Sequence, residues 1–259
     1  MLPISRNVRI VTAVAVAGSL TVFLLRRYRR FINGGQFTED VSAEGKIVVV
    51  TGANTGIGFE TAKELNLRGA KVYMLCRHPL RAQTAREKMI KAGCDASRLI
   101  YIHCDLSSFK SVRECAVELI KRESHIDILI NNAGIMIEIF KKTEDGHEIM
   151  WQTNYLGHFL LTELLLPIVE NSKKGRIINV ASINERLVSY RDFDLRYIDA
   201  PESSLISEVD IYYSRSKLAN IMHARELSRR LRHRGINNVT VNSLHPGQFH
   251  TLNNFISLS

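Results

Sequence analysis

The sequence predicts an α/β protein built on a doubly wound, mostly parallel sheet, and three observations lead there. Short runs rich in β-branched and other apolar residues alternate with longer segments of helical periodicity. The first of these runs, Ile47 to Val50, passes into the glycine-rich turn Gly52-Ala-Asn-Thr-Gly-Ile-Gly58 and then into a helical segment. Residues suited to ligand contact recur just after the runs, at the strand ends where open parallel sheets bind their ligands.

The elements follow in order. Ile47 to Val50 is apolar at every position, as a strand buried on both faces must be. The turn after it has the spacing G-x-x-x-G-x-G and lets backbone N–H groups and a helix N-terminus approach a pyrophosphate. Gly52, Asn54, Thr55, Gly56, Ile57 and Gly58 are therefore candidates for holding a dinucleotide. Phe59 to Arg68 is a helix and Ala70 to Cys76 the second strand. Arg77 stands directly beyond, where NAD-binding folds carry an acid for the ribose 2′-hydroxyl. An arginine there suits a 2′-phosphate, so the expected cofactor is NADP(H), with Arg81 as a helper. Pro79 to Ala92 is helical, with Pro79 suited to the first turn.

Arg98 to His103 is the third strand, and Asp105 beside Leu106 is positioned to meet an adenine edge. Ser107 or Ser108 caps the next helix, which runs to about Arg122. Ile126 to Ile130 is the fourth strand, followed by Asn131-Asn-Ala-Gly134, a small amide-rich turn suited to close approach of backbone and ligand. A long helical region between Glu144 and Val169 carries Asn154 and His158. Gly175 to Ser182 is the fifth strand. Residues 183–209 lack periodicity and read as a loop over the mouth of the site. Ile211 to Arg234 is a helix and Asn238 to Leu244 the sixth strand, with Pro246-Gly247 at its end.

The net charge of +9 is unevenly distributed. Residues 1–38 hold six arginines and no acid, while the remainder holds 29 Lys and Arg against 26 Asp and Glu. The basicity belongs to the amino-terminal arm, and no basic stripe with interleaved aromatics marks a nucleic-acid surface. Within the arm, residues 10–25 carry no charge and Arg26-Arg-Tyr-Arg-Arg30 follows. As a helix these sixteen residues span about 24 Å, and flanking arginines can snorkel to complete a membrane anchor. A cleaved signal peptide is the rival, but arginines occupy the place of a cleavage site. The positive-inside rule puts the main domain in the cytosol, pointing to the endoplasmic reticulum membrane, with a mitochondrial address as the alternative. Residues 1–38 thus read as anchor and basic flank, and 39–259 as one globular domain. The four cysteines have no metal-ligand spacing, so buried free thiols and no metal site are expected.

The candidate chemistry lies in the last long helix. Tyr213 and Lys217 are four apart and share a face, so an ammonium beside a phenol is expected to lower the phenol's pKa. A tyrosine so tuned exchanges a proton with a carbonyl or alcohol oxygen. Ser182 can hydrogen-bond the same oxygen, and Asn154 can hold a water chain behind the lysine. Tyr212 competes for the role, but only Tyr213 has a lysine at the fourth position.

Together, Thr51-Gly-Ala-Asn-Thr-Gly-Ile-Gly58, Asn131-Asn-Ala-Gly134, Asn154, Ser182, Tyr213-Ser-Arg-Ser-Lys217 and Pro246-Gly247 stand in the order of the short-chain dehydrogenase/reductase family. Asn154-Tyr-Leu-Gly-His-Phe-Leu-Leu-Thr162, Ser216-Lys-Leu-Ala-Asn220 and His245-Pro-Gly247 resemble its retinol dehydrogenase branch. The resemblance implies a Rossmann-like fold and hydride exchange between NADP(H) and a lipophilic, retinol-like alcohol or aldehyde. Tyr213 is then the proton donor or acceptor, Lys217 its partner and a ligand of the nicotinamide ribose, Ser182 the polarising hydroxyl, and Asn154 the end of the proton relay. Asp105 meets the adenine, Asn131 the neighbouring ribose region, and Thr251 the nicotinamide amide. A homodimer is among the assemblies the resemblance allows. Family members usually continue for several dozen residues past Pro246-Gly247. The carboxyl-terminal part of the fold is therefore expected to be missing, leaving the sixth strand as an edge and the substrate pocket short of a wall. The rival reading is a truncated, catalytically weak chain that binds nucleotide or a partner.

Overall fold

A computed structural model of the chain describes residues 18–28, 39–137, 140–188 and 208–247. Val41–Pro246 forms the main compact unit, and residues up to Asp40 belong to a second. Residues 18–28 are helical and exposed. Among the described residues no helix is long and apolar enough to cross a membrane, and residues 10–17 of the expected anchor lie outside them.

The main unit is a six-stranded, wholly parallel sheet. Its strands are β1 (Ile47–Thr51), β2 (Lys71–Cys76), β3 (Leu99–His103), β4 (Ile128–Asn131), β5 (Gly175–Val180) and β6 (Val239–Leu244). They lie in the order β3-β2-β1-β4-β5-β6. The helices are α1 (Gly56–Leu67), α2 (Pro79–Lys91), α3 (Phe109–Arg122), α4 (Gly157–Glu170) and α5 (Glu208–His233). The helical region expected between Glu144 and Val169 begins at Ile149 and runs through a helical turn, Ile149–Trp151, and a π-helical turn, Gln152–Leu156, into α4.

β1 shows why the sheet has two cores. Val48 and Val50 point to the layer holding Ala62, Ala82, Ala85 and Met89 from α1 and α2. Ile47 and Val49 point to the opposite layer with Leu119, Leu161, Leu165 and Leu227 from α3, α4 and α5. The period-two alternation of a fully apolar strand supplies both faces at once. β1 pairs with β2 on one side and β4 on the other, so the chain reverses its winding direction there. That reversal opens a crevice at the carboxyl ends of the strands.

Asp127 ties the opposite end of the sheet. Its buried carboxylate accepts the Ile47 amide at 2.9 Å, the Ser172 hydroxyl at 2.8 Å and the Lys46 ammonium at 3.2 Å. Burial raises its pKa, but these donors together hold it below the ordinary value. All four cysteines are buried and free, as expected. Burial pushes the Cys76 thiol up to about 12, and the adjoining Cys104 thiol, with burial, raises that of Cys115. β6 pairs with β5 and is half-exposed along its length.

Candidate active site

The crevice gathers residues from every strand end of the main unit. At the end of β1, Gly52 and Gly56 take φ angles of 65° and 55°, which favour glycine. A Cβ on Gly58 would come within 2.5 Å of Asn132 Nδ2 and press on the Gly52 carbonyl. Thr55 stands at the N-cap of α1, its side chain makes no capping bond, and the first turn holds no acid. The first amides of such a helix have no intrahelical partner, so this end is open to an anion. The Gly52 amide donates to the Leu75 carbonyl at 2.8 Å and ties the turn to β2. Asn54 and Ile57 are half-buried and Thr55 is exposed.

Arg77 follows β2 directly and lies half-exposed, its Nε donating to His78 Nε2 at 3.2 Å. Arg81 is exposed on α2. Asp105 Oδ1 accepts the Ser107 amide at 2.9 Å and its hydroxyl at 2.6 Å. Of the two predicted caps Ser108 is the one used, accepting from the Ser111 amide. Leu106 is buried against Gly157, where a Cβ would meet the Leu106 backbone.

The turn after β4 departs from expectation at Asn131. Its side chain is only 1% exposed and donates at 2.9 Å to both Thr162 Oγ1 and Asn179 Oδ1. The amide side chain is thus committed to the core rather than turned to a ligand. Ala133 is half-accessible and Gly134 exposed. The Asn132 and Ala133 amides both donate to Thr51 Oγ1 at 2.9 Å.

Asn154, Ser182, Tyr213, Lys217 and Gly134 come together. Asn154 is fully buried in the π-helical turn. Its side chain clasps the Ile135 backbone, with Oδ1 accepting from N at 2.8 Å and Nδ2 donating to O at 2.9 Å. Nδ2 also reaches Ser216 Oγ at 3.0 Å. These contacts tie the π-helical turn to the wall after β4 and to α5. Lys217 donates to the Val180 carbonyl at 3.0 Å, and a Cβ on Gly134 would stand 3.3 Å from its Nζ. Burial brings the Lys217 pKa down to about 8.

Tyr212 is buried against Phe140, while Tyr213 is half-accessible. The expected lowering of the Tyr213 pKa does not occur. Burial raises it, and the Ser182 hydrogen bond draws it only partly back. The Lys217 ammonium sits over the Tyr213 ring, 5.5 Å from its centroid. Ser182 also accepts the Asn184 amide at 3.3 Å, capping the short turn Ile183–Leu187 that begins the expected loop. Pro246 is half-buried beyond β6, and Gly247, outside the main unit, has a φ of 89°. Thr251 and residues 189–207 lie outside the described residues.

His158, His223, Asn179, Ser216 and Asn220 form a polar interior beneath the site. Asn179 donates to the Asn220 carbonyl at 3.1 Å and to His223 Nδ1 at 3.4 Å. Burial holds His158 at about 3 and His223 at about 4, so both are neutral. These shifts set an expected pH dependence. An unfolded histidine titrates near 6.5, so between that value and the folded pKa the unfolded chain binds more protons. Stability is full above pH 6.5 and falls as the pH drops, by about 2 kcal/mol per histidine at pH 5. Denaturant midpoints measured from pH 7.5 to 5 check this; a flat profile contradicts it.

This arrangement joins a dinucleotide-type turn to a Ser, Tyr and Lys cluster, and comparison with known proteins agrees. The short chain dehydrogenase family model matches residues 46–191. The chain belongs to the short-chain dehydrogenase/reductase family, oxidoreductases that bind nicotinamide cofactors. Within it the chain is retinol dehydrogenase-like. It is 41% identical to retinol dehydrogenase 12 of Bos taurus over 90% of this chain and 73% of that protein. It is 43% identical to retinol dehydrogenase 12 of Mus musculus over 85% of this chain and 66% of that protein. Among solved structures, an uncharacterized protein from Mycobacterium paratuberculosis is similar with a TM-score of 0.68 and 37% identity, covering 81% of this chain and 71% of that one. The Pseudomonas aeruginosa RhlG/NADP active-site complex is similar with a TM-score of 0.62 and 27% identity, covering 82% and 75%.

Proposed function

We propose that the chain is an NADP(H)-dependent oxidoreductase that interconverts lipophilic, retinol-like alcohols and their aldehydes. The observation that carries this reading is the convergence of Asn154, Ser182, Tyr213 and Lys217 beside Gly134 in the crevice. The turn from Gly52 to Gly58 fits a pyrophosphate, because its glycines leave no side chain in the cradle and the N-terminus of α1 is uncapped. Asp105 and Leu106 flank the adenine end, and the backbone from Asn131 to Gly134 borders the ribose. The bound nicotinamide supplies or accepts the hydride.

The protein's own groups handle the proton. Ser182 donates a hydrogen bond to the substrate oxygen and orients it toward Tyr213. Tyr213 passes its proton to that oxygen in reduction and takes it back in oxidation. Lys217, anchored by the Val180 carbonyl, holds positive charge under the ring and steadies the phenolate as it forms. Asn154 fixes the wall opposite the lysine. We further propose that residues 1–38 anchor the domain of residues 39–259 to a membrane, with residues 10–25 in the bilayer and the domain on the cytosolic side of the endoplasmic reticulum. The charge-free run and its arginine flank support this.

The test is oxidation of NADPH or NADH by the expressed full chain with all-trans-retinal. Turnover with NADPH above a Tyr213→Phe control supports the reading, and its absence from folded protein sinks it. Arg77→Asp is expected to reverse the cofactor choice. Losing the charge-assisted phosphate contact and adding an acid weakens NADPH by about a hundredfold relative to NADH. An unchanged NADPH to NADH ratio of kcat/KM removes Arg77 from that role.

A further inference from the structure

His158, on the first turn of α4, is 1% exposed, and both of its ring nitrogens are in hydrogen bonds. Nδ1 lies 2.9 Å from the Asn154 carbonyl oxygen, and Nε2 lies 2.8 Å from Thr51 Oγ1. The tautomer follows from counting. The Thr51 hydroxyl accepts the Asn132 and Ala133 amides, which occupies both lone pairs. Its proton has two acceptors in reach, the Ile130 carbonyl at 3.4 Å and Nε2 at 2.8 Å, and the nearer Nε2 takes it and carries none of its own. The one ring proton sits on Nδ1 and faces a carbonyl that can only accept. Two separate constraints select the same form.

One imidazole thus joins three pieces distant in sequence. Thr51 closes β1 and opens the glycine turn. Asn132 and Ala133 begin the wall after β4. Asn154 lies in the π-helical turn, and its carbonyl also accepts Asn220 Nδ2 at 3.1 Å. Ser216 and Asn220, which Asn154 touches, flank Lys217 on α5. A π-turn is a rare and strained departure from the α-helical ladder, so side-chain bonds set where its carbonyls point.

We propose that His158 is a positioning residue, which locks the π-turn of Asn154 to the glycine turn through Thr51 and so fixes Asn154 and Lys217 relative to the bound dinucleotide. Its catalytic arm rests on the oxidoreductase reading above; its binding arm does not.

Three substitutions separate the two bonds. In His158→Gln, Oε1 reaches the place of Nε2 and accepts from Thr51. In His158→Asn, Nδ2 stands near Nδ1 and donates to the Asn154 carbonyl, but nothing reaches Thr51. His158→Leu makes neither bond. Each full-length variant is measured for kcat and KM separately, for affinity toward whichever of NADPH or NADH the wild type binds more tightly, and for melting temperature. His158→Asn and His158→Leu are expected to lower kcat by about a hundredfold with KM for the carbonyl substrate within about threefold. They also weaken the nucleotide by about tenfold, the worth of one lost positioning bond. His158→Gln restores both to within about threefold of wild type. The Gln and Asn comparison stands even where the Leu variant does not fold. Gln no better than Asn, or a loss that follows melting temperature across the series, overturns the proposal. A wild type that binds nucleotide but shows no Tyr213-dependent turnover defeats the reaction reading alone. The affinity ranking then decides, with Gln above Asn sustaining the inference and equal affinities overturning it.

Discussion

A Tyr213→Phe chain is expected to lose turnover by about a hundredfold to ten-thousandfold while folding and binding nucleotide as the wild type does. Phenylalanine keeps the ring that Lys217 sits over, so the packing of α5 against the crevice survives. Only the hydroxyl goes, and with it the hydrogen bond to Ser182 and the exchangeable proton. Because burial raises the Tyr213 pKa, the phenol is protonated at neutral pH and stands ready as an acid. Reduction of a carbonyl is therefore the direction in which the loss is clearest. The check is kcat/KM with retinal beside a nucleotide-binding titration. Turnover within about tenfold of wild type would remove Tyr213 from the proton path.

Gly58→Ala is expected to weaken nucleotide binding by about a hundredfold or more, about 3 kcal/mol. The added methyl cannot be absorbed by a flexible neighbour. It meets the Gly52 backbone carbonyl and lies 2.5 Å from Asn132 Nδ2, which itself donates to the Thr51 carbonyl at 2.9 Å. Relief requires the turn and the start of α1 to separate, and the amides that would face the pyrophosphate lose their common focus. Gly146→Ala serves as a comparison, since a Cβ there meets nothing within 4 Å, although its φ of 88° carries a backbone cost. Wild-type affinity in Gly58→Ala, measured by fluorescence titration, would mean that the turn does not hold the dinucleotide.

Much of this was legible in the sequence for local reasons. The apolar run of β1, the glycine spacing and the four-residue step from Tyr213 to Lys217 are short-range patterns, and the geometry follows from them. The doubly wound, mostly parallel sheet was legible in the alternation of strands and helices. Asn131 and His158 were misread or passed over because their partners are distant. Asn131 meets Thr162 and Asn179, and His158 meets Thr51, across separations that only the completed sheet closes. The π-turn at Asn154 has no compositional mark of its own. The raised pKa of Tyr213 was missed because proximity to a cation was legible while burial was not. Asn154 and His158 being four apart on one helix face was the available clue that the two act together.

The order of strands in the sheet has a consequence for biosynthesis. β1 is made first but lies at the centre, with β2 on one edge and β4 on the other. β2 is translated soon after, whereas β4 is some 80 residues away, so at roughly 5–20 residues per second one edge of β1 waits about 4–15 s. During that interval Val48, Val49 and Val50 form a β-prone strip beside an unpaired backbone, the kind of surface that invites pairing with another chain. The nascent chain is most exposed to misassembly in the window between the glycine turn and Asn131, well before any residue of the Tyr213 helix has left the ribosome.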